Sequence, residues 1–81
     1  MYKGFILITK DEQYSSSNKC KDMFATDTYI QVGNIARIKK SSVGCEIWSS
    51  DQGAVFAILP VQEVMNRIEK ATGIQTAQKT N

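Results

Sequence analysis

The chain has 81 residues, a formal net charge of +2 and no histidine. That length holds one domain at most, and its core is marginal, since a domain near this size buries only about 60% of the surface its unfolded chain exposes. The missing histidine removes the commonest general base and the commonest zinc ligand together, and so mild a charge does not by itself indicate nucleic acid.

The first apolar run, Phe5-Ile6-Leu7-Ile8, is apolar on both parities. Phe5 and Leu7 face one way and Ile6 and Ile8 the other. A strand over residues 3–9, covered on both sides, is the expectation. The run is too short for a signal-peptide core. No stretch approaches the roughly 20 apolar residues a membrane span needs. The reading is therefore a cytoplasmic protein with reduced thiols and no membrane partner.

Residues 14–28 admit two readings. Ser17 can cap a short helix near 18–25, with Cys20, Met23 and Phe24 at i, i+3 and i+4 on one face. Alternatively the segment is a loop that tucks Met23 and Phe24 into the core. After it, Ile30 and Val32 alternate with Gln31, and Gly33-Asn34 is a turn or bulge signal. Ile35 and Ile38 lie three apart, which strict alternation cannot place on one face. A bend at Gly33-Asn34, or a bulge at Ala36 and Arg37, reconciles them in a strand ending near Lys40.

Ser41 to Gly44 then makes a turn. Cys45-Ile47 and Glu46-Trp48 alternate along the next strand, with Cys45 and Ile47 toward the core and Trp48 away from it. Ser50 to Gly53 makes a second turn, with Gly53 suited to positive φ. Ala54 to Leu59 return. The result is an antiparallel meander. Pro60 fits the first turn of a helix, and Val61, Val64, Met65 and Ile68 fall at i, i+3, i+4 and i+7, with Gly73 as the C′ residue. The helix reads as a lid on one sheet face. Its first turn carries Glu63, which argues against a groove-reading helix. The fold class is thus α+β: a meander of four or five strands with a C-terminal helix packed on one face. A single domain spans residues 1–73, followed by a frayed tail over 74–81.

The residues that carry chemistry are few. Cys20, between Lys19 and Lys21, and Cys45 have no histidine to activate them. They also lack the spacing of a disulfide framework and cannot complete a zinc site alone. The carboxylates Asp11, Glu12, Asp22, Asp27, Glu46 and Asp51 show no spacing that forces a pair together. Neither a P-loop nor G-x-G-x-x-G occurs. No enzyme, metal or cofactor is expected. The second apolar sheet face, read as Trp48, Val55, Ala57 and Leu59, points to self-association or an unidentified protein partner. The cations Arg37, Lys39 and Lys40, with Lys19 and Lys21, offer an alternative: a strand face that contacts phosphates beside a stacking Trp48.

The segments "VGNIARI", "CEIWSSDQG" and "AILPVQEVMNRI", between Val32 and Ile68, resemble the layout of the FlbD-like family of small flagellar proteins: short strands, an I-x-x-I pair, a hairpin closed by glycine, then a helix carrying E-V-x-x-x-I. The likeness implies a non-enzymatic accessory or interaction role. LytTR-type DNA-binding domains share some of the same strand-then-helix rhythm.

Overall fold

A computed structural model describes residues 4–73. Lys3, at the start of the first expected strand, and the expected tail over 74–81 lie outside them. The β-branched and aromatic runs form five strands and the amphipathic stripe forms one helix: β1 Phe5–Ile8, β2 Thr28–Gln31, β3 Ile35–Lys40, β4 Cys45–Ser49, β5 Gly53–Ala57 and α1 Val61–Thr72. The strands divide into two sheets, an antiparallel β1–β2 ladder and a meander in the order β3–β4–β5.

The two sheets are joined by chain rather than by strand pairing. Lys10–Glu12 forms a 3₁₀ turn after β1. Glu12 to Tyr14 then runs along the free edge of β5: Tyr14 donates to the Phe56 carbonyl at 3.0 Å, and Ile58 donates to that of Glu12 at 2.6 Å. A second 3₁₀ turn, Val32–Asn34, turns the chain from β2 into β3. Both devices anticipated for the Ile35–Ile38 spacing are present. After that turn, the β3–β4 register slips between Ile35 and Arg37, leaving Ala36 as the extra residue of a bulge. Ile35 and Ile38 both pack against the core as a result.

That core lies between the inner sheet faces and is closed by α1. Ile6, Ile8 and Ile30 come from the ladder, Cys45, Ile47, Val55 and Ala57 from the meander, and Val64 from the helix. Each large side chain so buried contributes roughly 1.5–3 kcal/mol. The helix begins one residue later than the proline alone implies: Pro60 is the N-cap, with extended ψ of 154°. Gly73 ends it in the left-handed region at φ 76°, where a Cβ would be strained, and donates to the Glu69 carbonyl. At the other end of the chain, Gly4 lets β1 approach the helix. A Cβ there would collide with the Ala71 carbonyl oxygen.

Two expectations are corrected. Residues 14–28 contain no helix, and neither Met23 nor Phe24 enters the core; they are 87% and 94% exposed. Local polar groups take the backbone instead: the Asp22 carboxylate accepts the Phe24 N–H, the Asn18 amide oxygen accepts that of Cys20, and Lys19 sits at φ 63°. β1 is also not covered along its whole outer side, for Phe5 is 56% exposed while Leu7 is half-buried.

Candidate interaction surfaces

Strand register sorts the candidate residues onto faces. Cys45 pairs with Ala57 and Ile47 with Val55, so these four share the inner face of the meander. The turn between Ser49 and Gly53 fixes that register. Val55 and Ala57 are therefore core residues of a single chain, not members of a surface with Trp48. Leu59, half-buried, packs against the same core. The interface read from parity thus comes apart, and only Trp48 remains on the outer face.

That outer face has two cross-strand rows. Arg37, Trp48 and Ala54 form one, and Lys39, Glu46 and Phe56 the other. The Arg37 guanidinium carbon lies 5.4 Å from the Trp48 ring centroid, within cation–π range. The indole Nε1 donates to Glu46 Oε1 at 3.1 Å. Lys39 faces Glu46 across the strands, yet the two form no ion pair, because that carboxylate is turned to the indole. The Tyr14 ring packs on Phe56 at 5.7 Å between centroids, and its hydroxyl meets Ser41 Oγ at 2.7 Å. Tyr14 was not anticipated from the sequence. Its signal was faint, an aromatic just before a polar loop.

The five cations do not form one patch. Arg37 and Lys39 share the outer face, and Lys40 ends the same strand. Lys19 lies over the Tyr14 ring at 5.9 Å and donates to the Ser16 carbonyl. Lys21 is paired with Asp11 at 2.8 Å, which lowers the Asp11 pKa. Among the described residues, Arg37, Lys39 and Lys40 have no carboxylate within ion-pair distance.

The ladder presents a different outer face. Phe5 pairs with Gln31 and Leu7 with Tyr29, so these four side chains point away from the core together. Tyr29 is 61% exposed. None of the four is charged. Beside them, Arg67 reaches from α1 to donate to the Leu7 carbonyl at 2.8 Å and to both Glu12 carboxylate oxygens at 2.9 and 2.6 Å. That guanidinium holds the Glu12 carboxyl down at about 2. The cluster clamps helix to ladder, and it was not foreseen because its members are far apart in sequence.

The two thiols remain apart: Cys20 is exposed and Cys45 buried. Burial pushes the Cys45 thiol pKa up, the opposite of nucleophile activation. Among the described residues no helix is long and apolar enough to cross a membrane, and no cluster of three or more histidine, cysteine or carboxylate side chains gathers for a metal ion. No family model matches the chain, and no match was found among curated proteins or solved structures.

Proposed function

We propose that this chain is a non-catalytic interaction module that associates with copies of itself through the outer face of the β1–β2 ladder. The observation that carries the reading is the uncharged, apolar face of Phe5, Leu7 and Tyr29, with Phe5 and Tyr29 each more than half exposed. A two-fold contact sets a patch against itself, so like charges on it oppose one another. The ladder face avoids that conflict among its described residues. The meander's outer face would bring Arg37 and Lys39 toward their own copies.

Size favours the same reading, since a core this small is commonly supplemented by oligomerisation. The non-catalytic part rests on how the candidate groups are engaged. Glu12 is committed to Arg67, Asp11 to Lys21, Glu46 to Trp48, and the Cys45 thiol is buried. The resemblance of its sequence segments to FlbD-like proteins implies the same accessory role.

Light scattering on the purified protein and on a Phe5→Ser/Tyr29→Ser double variant tests the proposal. The expected result is more than one chain per particle for the parent and a single chain for the variant, with unchanged circular dichroism. Equal masses for the two proteins would contradict it.

A further inference from the structure

The geometry points to a second, separate binding surface: we infer that the outer face of β3–β5 takes single-stranded nucleic acid, with Trp48 as its stacking platform. Three observations meet there. Trp48 is half-buried and held in orientation by its bond to Glu46, so little freedom remains to be lost on stacking. Arg37 lies over the same ring, and bases stack on guanidinium groups as well as on aromatic rings. Lys39, exposed and without an ion-pair partner among the described residues, stands two residues along the same face, and Lys40 ends the strand on the opposite parity.

Charge complementarity selects the partner. The outer face offers Arg37 and Lys39 to a polyanion, and the charged Glu46 between the rows forms no ion pair with either, its carboxylate accepting from the indole instead. Ala54, the small residue opposite Trp48, completes that row. Aromatic platforms flanked by cations bind single strands with little sequence preference. A duplex hides its base faces and would forgo the stacking.

The chain has one tryptophan, so its fluorescence reports on this site alone. Titration with oligo-dT and oligo-U at low salt should quench Trp48. The binding constant should fall with salt at a log–log slope of about −1.4, as two single-strand phosphate contacts require. Arg37→Glu/Lys39→Glu should weaken binding by about tenfold or more, and Lys39→Glu alone should also weaken it, whereas Lys70→Glu, the same single charge reversal on the helix, should have little effect. The Phe5→Ser/Tyr29→Ser variant should bind as the parent does, which separates this inference from the proposed self-contact. Heparin and an acidic peptide serve as polyanions without bases. Binding to them as tight as to the oligonucleotides, with no quenching by the latter, would overturn the inference in favour of an acidic protein partner. Absence of oligonucleotide binding by the parent protein at low salt would overturn it outright.

Discussion

Arg67 and Glu12 tie three pieces of the molecule together through one ion pair. The arginine belongs to α1, the glutamate ends the 3₁₀ turn, and the same guanidinium donates to β1 through Leu7. Both side chains are about one quarter exposed, at 25% and 24%. The Glu12 carboxyl titrates at about 2 in the folded chain against 4.5 for a free glutamate. A depressed folded value means the unfolded chain binds this proton more readily than the native one. Its stabilisation is therefore fully present above the unfolded value and is lost as pH falls toward about 2. Its size is roughly 1–3 kcal/mol after allowance for solvent screening. Glu12→Gln should lower the urea midpoint at neutral pH and flatten the loss of stability on acidification. A variant with the parent's acid profile would show that the pair contributes little. At Gly4 the constraint is steric rather than electrostatic. Gly4→Ala drives a methyl into the Ala71 carbonyl, and overpacking of this kind costs about 1–3 kcal/mol. For a domain this small each kcal/mol lowers the melting temperature by about 4–8 °C. An unchanged melting curve would mean that β1 and α1 separate freely.

Elements were legible in the sequence wherever a period ran without interruption. The alternation along β4, the glycine turn that returns the chain into β5, and the stripe from Val61 to Ile68 place those elements nearly as observed. Even the bulge in β3 was readable, from Ile35 and Ile38 alone. Face assignment was harder, because parity names two sets without saying which one a helix covers. The turn after Ser49 held the missing information: pairing Ser49 with Gly53 forces Val55 opposite Ile47. The division into two sheets was not legible. β1 meets β2 across a long loop, and non-local bonds, among them those between Glu12, Tyr14 and the end of β5 and the one from Gln52 to the Tyr29 carbonyl, bring the ladder beside the meander. The bulge itself can be tested. Deleting Ala36 shifts one of Ile35 and Ile38 to the solvent face, at a cost of roughly 1.5–3 kcal/mol for the isoleucine exposed. Ala36→Gly keeps the residue count and should cost less. Denaturation that ranks the two variants the other way would mean that the bulge does not set the register.

At the scale of the molecule, the two sheets spend their inner faces on one core and leave two outer faces of different chemistry. The ladder's face is apolar and uncharged among its described residues, and the meander's face carries cations around an aromatic ring. β1 explains the first. Its sequence is apolar on both parities, as in strands buried on both sides, yet a single chain fully buries only Ile6 and Ile8, leaving Leu7 half-buried and Phe5 exposed. Such an uncovered patch is uncommon on a protein that works alone. The most direct test is sedimentation equilibrium of the unmodified protein over a concentration series extending to its solubility limit. The account predicts a mass that rises above the 9.0 kDa of one chain toward a whole-number multiple of it. A mass that stays at 9.0 kDa throughout would contradict it.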